Sequence, residues 1–210
     1  MFETLGIEKK KEQEKQKGLY FIPCKELPIW AMWSVNKALV SPKYEVIPLK
    51  NVLKMKSGSF LPTKNQVRGE YIVYGGNGKT GTHNQYCVEG KRIIIGRVGE
   101  FCGNVHLVSG QYWVTDNAFI TEKINDAFND EFLFEVLSFL NLNQFRVISA
   151  QPSLSQKNIE NIPIPAPPLS VQKEIASHIQ SIRKKMQTLR QTAEENRKQA
   201  IKEFEQEIFE

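Results

Sequence analysis

The sequence predicts an α+β protein: a domain on a twisted, mainly antiparallel sheet with flanking helices, then one long C-terminal coiled-coil helix. Three observations carry this. Short β-rich runs recur between Tyr44 and Val114, punctuated by glycine and asparagine. One helical stripe comes after them, formed by Phe132, Leu133, Val136, Leu137 and Leu140. The last stretch, Ser170 to Glu210, has neither proline nor glycine and carries apolar residues in alternating steps of four and three.

Taken in order, residues 1–18 are dominated by Lys, Glu and Gln and read as a solvated tail or a helix end. Residues 19–158 have globular texture. In them Trp30 and Trp33 share one helix face and are expected to pack on the core. The strand runs are Tyr44–Leu49, Tyr71–Tyr74, Arg92–Arg97, Gly103–Val108 and Gln111–Val114, and Asp130–Leu142 is a core-packing helix. Residues 159–169, IENIPIPAPPL, place prolines at 163, 165, 167 and 168, which precludes a helix and makes a stiff, extended connector.

In the final segment, 170–210, Ser170 is a candidate N-cap. The seam runs through Ile175, Ile179, Ile182, Met186, Leu189, Ala193, Asn196 and Ala200, then slips by one residue to Ile201, Phe204 and Ile208. Asn196 is either a register pin or a tolerated polar residue near a frayed end. A continuous helix of this length reaches ~60 Å. It is too long and one-sided to fold alone, so it reads as a spacer or dimerisation arm that needs a partner helix.

Composition excludes several classes. With 210 residues, 40% of them hydrophobic, the chain holds one full domain with an appendage, or two small domains. A net charge of +5 permits a nucleic-acid partner without demanding one. No uninterrupted apolar window of about 18 residues exists, and the N-terminus lacks a signal-peptide core, so a cytoplasmic protein is expected. Cys24, Cys87 and Cys102 are odd in number and widely spaced, and with three histidines a disulfide framework or zinc site is not expected; the cysteines read as small buried hydrophobes. No cofactor or metal is expected.

Gly78-Lys79-Thr80 resembles the tail of a phosphate-binding P-loop, but Val73 occupies the position of its first glycine and no helical stripe comes after it. Catalytic motifs are absent. Asp116 lacks a paired carboxylate or base and reads as a turn or cap residue. There remains a set of glycine-rich loops with polar and basic residues, the places where binding residues concentrate. Lys64, Arg68, Lys79 and Arg97 are candidate phosphate contacts. Asn77, Thr80, His83 and Asn104 are polar residues of the kind that can read base edges of double-stranded DNA or accompany close backbone approach.

The motifs Tyr74–Gly78 (YGGNG), Ile93–Gly99 (IIIGRVG), Cys102–Val105 (CGNV) and Trp113–Ala118 (WVTDNA), with Pro-Pro-Leu-Ser and Gln-Lys later at the junction, occur in order. In this the chain resembles the target recognition domain of type I restriction–modification specificity subunits, over about residues 44–205. The resemblance implies a non-catalytic protein that reads one half of a split DNA target. It also implies docking to methyltransferase subunits and, through them, to the restriction subunit. The family usually carries two recognition domains and two spacer helices. One of each here implies a half-subunit that pairs as a homodimer or with a second specificity chain, or else a truncated gene product. In the family the glycines and the Trp113–Ala118 motif build scaffold. Without DNA binding, the same pattern describes a coiled-coil protein-interaction scaffold.

Overall fold

The structure, a computed structural model, describes residues 43–148 and 150–209. The expectations for residues 1–18 and for Cys24, Trp30 and Trp33 lie outside the described residues.

Among the described residues there are ten strands and three α-helices. The strands are β1 (Val46–Pro48), β2 (Leu53–Ser57), β3 (Tyr71–Gly75), β4 (Gly78–His83), β5 (Val88–Glu89), β6 (Arg92–Gly96), β7 (Val105–Val108), β8 (Gln111–Val114), β9 (Ala118–Lys123) and β10 (Pro163–Pro165). The helices are α1 (Asp130–Phe139), α2 (Gln156–Ile159) and α3 (Leu169–Phe209).

The strands form two four-stranded sheets, ordered β2-β9-β6-β7 and β4-β3-β8-β5, and a separate β1-β10 ribbon. This differs from a single sheet, although pairing is antiparallel throughout except between β3 and β8. The sheets share a core of Tyr74, Tyr112 and Val114 from one and Ile94, Val108, Ala118 and Ile120 from the other. Ile93, Ile94 and Ile95 are all buried, because α1 covers the second face of their strand. A continuous apolar run is the pattern that burial on both faces requires.

Helix α1 is capped by Asn129, whose side chain accepts the Phe132 amide at 2.9 Å, and it ends before Asn141, which is left-handed at φ 47°. Ion pairs Lys91–Glu131 and Lys123–Asp130 fasten its first turn to the neighbouring sheet. Cys102 is buried, but Cys87 is exposed, a correction to its reading as a core residue: its sulfur lies beside β8 and accepts the Val114 amide at 3.3 Å.

The proline-rich run is tied back to the start of the domain, since Pro163–Pro165 pairs in register with Val46–Pro48. Prolines suit such a short ribbon because it has no neighbour needing their missing N–H. Helix α3 then opens at Leu169, so Ser170 lies inside its first turn and is not its cap. Near the start of α3, Gln172 is fully buried. Its side-chain amide donates to the carbonyls of Ala127 (2.7 Å) and Pro167 (2.8 Å) and accepts the Asn129 amide (2.8 Å). Further along the helix, Arg183 pairs with buried Glu135 of α1 at 2.6 Å and lies over the Phe134 ring. Burial raises the Glu135 carboxyl pKa, and the Arg183 charge opposes that rise. Beyond Arg183 α3 leaves the domain, and Met186, Leu189, Asn196, Ile201, Phe204 and Ile208 are exposed on it.

Candidate nucleic-acid interface

Strand direction decides which loops meet. The register pairs Ser57 with Phe119, Gly96 with Ala118, and Ile95 with Val105. So β2 and β6 end, and β7 and β9 begin, at one end of their sheet. In the other sheet Tyr74 lies beside Val114 in parallel strands and opposite Lys79, so β3 and β8 end there and β4 begins. The Thr115–Asn117 turn joins the two sheets at this same end. Its Thr115 amide donates to the Tyr74 carbonyl at 2.8 Å, and Asn117 accepts the Arg97 amide at 2.8 Å.

Four loops therefore emerge together: 58–70, the hairpin turn Gly76–Asn77, 97–104, and 115–117. Their backbones pack without side chains between them. A Cβ on Gly96 would lie 2.0 Å from the Gly76 carbonyl oxygen, and one on Gly76 would lie 2.5 Å from that of Val98. This close approach explains both motif glycines. Gly78 holds the left-handed backbone (φ 95°) that closes the hairpin.

The Gly-Lys-Thr run thus enters a strand and not a helix, which removes the P-loop geometry. Lys79 and Thr80 are exposed on β4. Thr80 is the unpaired residue of a bulge, since Tyr74 faces Lys79 while Val73 faces Gly81. Its hydroxyl donates to the Val73 carbonyl at 3.3 Å. Asn77 and Asn104, far apart in sequence, meet across the loops: the Asn104 side-chain amide donates to the Asn77 oxygen at 3.0 Å. Arg97 lies over the Phe119 ring and donates to the Ser57 hydroxyl at 2.8 Å, which fixes its guanidinium. Lys64 is exposed on a short 3-10 turn, Thr63–Asn65. That turn borders a cleft lined by Phe60, Gln66, Gly76, Thr80, Asp116 and Asn117. Asp116 sits in the Thr115–Asn117 turn, where its carboxylate makes no cap contact among the described residues.

Arg68 and His83 are placed elsewhere. His83 ends β4, ~17 Å along the strand from Gly78. It is buried, its Nδ1 accepts the Val67 amide at 3.1 Å, and its ring meets Trp113 edge-on at 5.2 Å. It braces loop 58–70. Arg68 is exposed next to that brace, at the far end of β4.

Sequence reasoning missed His106, which lies under the hairpin. A Cβ on Gly78 would meet its ring at 3.0 Å, and its Nε2 is buried without a hydrogen-bond partner among the described residues. Burial pushes its pKa below 6.5. The unfolded chain then binds the proton more readily, so this contribution to stability is complete above 6.5 and is lost as pH falls. We expect melting temperature to drop on acidification from about pH 7.5 to about pH 5, and a His106→Leu variant to drop less. Equal drops in the two proteins would contradict this.

Among the described residues, no group of three His, Cys, Asp or Glu side chains is placed to hold a metal ion, and no helix is long and apolar enough to cross a membrane.

Comparison with known proteins gives a consistent result. A family model described as "Type I restriction modification DNA specificity domain" matches residues 42–201. The chain is 30% identical over 146 residues to the type I restriction enzyme EcoprrI specificity subunit of Escherichia coli, covering 67% of this chain and 35% of that one. Its fold is similar to the type I restriction–modification S subunit from M. genitalium, with a TM-score of 0.61 and 15% identity, covering 76% of this chain and 44% of that one. The HsdS subunit from Thermoanaerobacter tengcongensis gives a TM-score of 0.56 and 15% identity, with 80% of this chain and 47% of that one covered. The chain thus spans about a third of the length of its Escherichia coli relative.

Proposed function

Because the chain belongs to the type I restriction–modification DNA specificity domain family, we propose that its four clustered loops read one part of a split DNA target. In this reading α3 is the spacer that sets the distance to the other part. The chain performs recognition and leaves the chemistry to methyltransferase subunits and, through them, to a restriction subunit. One observation carries the reading: Lys64, Lys79 and Arg97 emerge with Asn77, Thr80 and Asn104 at a single end of the two sheets.

The roles divide by chemistry. Lys64, Lys79 and Arg97 neutralise phosphates, and Asn77, Thr80 and Asn104 approach base edges. The Asn104–Asn77 bond orients both amides before DNA arrives, which lowers the ordering entropy of binding. His83 serves as scaffold, and Arg68 stands at the periphery of this interface.

Helix α3 is proposed as the docking arm. Its seam, Ile175, Ile179, Ile182, Met186, Leu189, Ile201, Phe204 and Ile208, is exposed except for half-buried Ile179. Such a seam suits a second helix, from another copy or from a second specificity domain.

Methylome sequencing of cells carrying this chain and its methyltransferase partner reports the target. A split motif with one constant half per recognition domain is expected, and a genome with no motif dependent on this chain would refute the reading. In gel shifts of the assembled complex, Lys79→Ala should weaken binding to all duplexes alike. It should also reduce the slope of log affinity against log salt by about 0.9. An unchanged slope would remove Lys79 from the phosphate contacts.

A further inference from the structure

Phe60 stands out at the loop end. It is 75% exposed, yet the segment that carries it is firmly tied. The Gly58 amide donates to the Ala118 carbonyl (3.0 Å) and the Ser59 amide to that of Val114 (2.8 Å). The Trp113 indole N–H donates to the Ser59 carbonyl at 3.2 Å. Pro62 and the Thr63–Asn65 turn stiffen the next residues of the loop. The ring is therefore held in water by an ordered backbone, in front of the cleft that Thr80, Asp116 and Asn117 also line.

The charges around it select the occupant. Lys64 lies four residues further along the same loop, and Lys79 and Arg97 flank the hairpin, so a polyanion is drawn to this end. Asp116 makes no hydrogen bond or ion pair among the described residues, and it would repel a phosphate placed in the cleft. The cleft consequently suits a base edge with the phosphates held at its basic rim. In the major groove the apolar group on a base edge is the thymine methyl.

We propose that Phe60 is a specificity-determining residue that packs on the 5-methyl group of a thymine in the target half read by this domain. This rests on the DNA-reading function above and adds a base identity to it.

The test uses the full chain assembled with its methyltransferase subunit, on duplexes carrying the motif found by methylome sequencing. Each thymine is replaced singly by deoxyuridine, which removes only the methyl. Wild-type protein should lose about fourfold in affinity at one thymine, the worth of one buried methyl. Phe60→Ala should lose a similar factor on the unmodified site and become indifferent to deoxyuridine at that position, whereas Phe60→Leu should retain part of the sensitivity. Ile124→Ala, exposed at the opposite end of the sheet, should behave as wild type.

The proposal fails if wild-type protein responds at no thymine, or if Phe60→Ala keeps every wild-type response. It also fails if Phe60→Ala instead loses its methyltransferase subunit, which would make the ring a protein contact. Specific binding without methyl dependence defeats this inference alone. Absence of sequence-specific binding by wild type defeats the parent reading as well.

Discussion

Gly96→Ala should destabilise the domain by about 3 kcal/mol, since overpacking of this severity reaches the upper part of the usual range. The added methyl would stand 2.0 Å from the Gly76 carbonyl oxygen. That atom belongs to backbone and not to a flexible side-chain tip. Relief therefore requires the β3–β4 turn to move away from the end of β6, and this separates the two sheets where their loops meet. For a domain of this size the melting temperature should fall by about 10 °C. Thermal or denaturant melts give the value, and a loss within about 0.5 kcal/mol would mean that the glycines are not packed as described. Surviving folded protein should also bind DNA more weakly, because Asn77 rides on the displaced turn.

The second large effect concerns the root of α3. Gln172→Leu fills a similar volume but leaves three backbone groups without their side-chain partner: the buried Pro167 carbonyl and the partly buried Asn129 amide and Ala127 carbonyl. The buried carbonyl costs about 1–3 kcal/mol and the two partly buried groups, which water can reach, less each, so a total loss of about 2–4 kcal/mol is expected. The affected groups lie at the N-terminus of α1 and the start of α3, so the angle between the helices should loosen too. Hydrogen exchange at Asn129 and in the first turns of α3 should rise sharply. Unchanged protection there would show that packing of Ala176 and the Arg183–Glu135 pair holds α3 without the glutamine.

Much of the fold was legible because burial leaves periodic marks. The Ile93–Ile95 run and the α1 stripe reflect the faces they bury, and the α3 heptads mark a face suited to a partner. Strand β4 was not legible, because GKTGTH has no apolar alternation and its strand geometry is imposed by pairing with β3. Strand β9 begins at the end of the WVTDNA motif and was absorbed into it. The division into two sheets arises from long-range pairing, which local pattern does not encode.

For the site, residue types in glycine-rich loops pointed to Lys64, Asn77, Lys79, Thr80, Arg97 and Asn104, which the fold gathers at one end. They failed to separate Arg68 and His83, since the position of β4's far end depends on its being a strand. Phe60 carried no signal at all, because an isolated phenylalanine looks like core until its surroundings are known.

The β1–β10 ribbon has a consequence for how such chains change over generations. Val46 and Pro165 are register partners, so the polypeptide enters and leaves the domain at adjacent points. Everything between them is a cassette whose two cut ends coincide in space. Recombination that exchanges the cassette would replace all four loops at once and keep the sequence of the helical arm, while renewing the residues on which Gln172 and Arg183 rest. On the proposed reading, new sequence preferences would come by module exchange, and the angle of the arm would be kept where the incoming module supplies partners for Gln172 and Arg183.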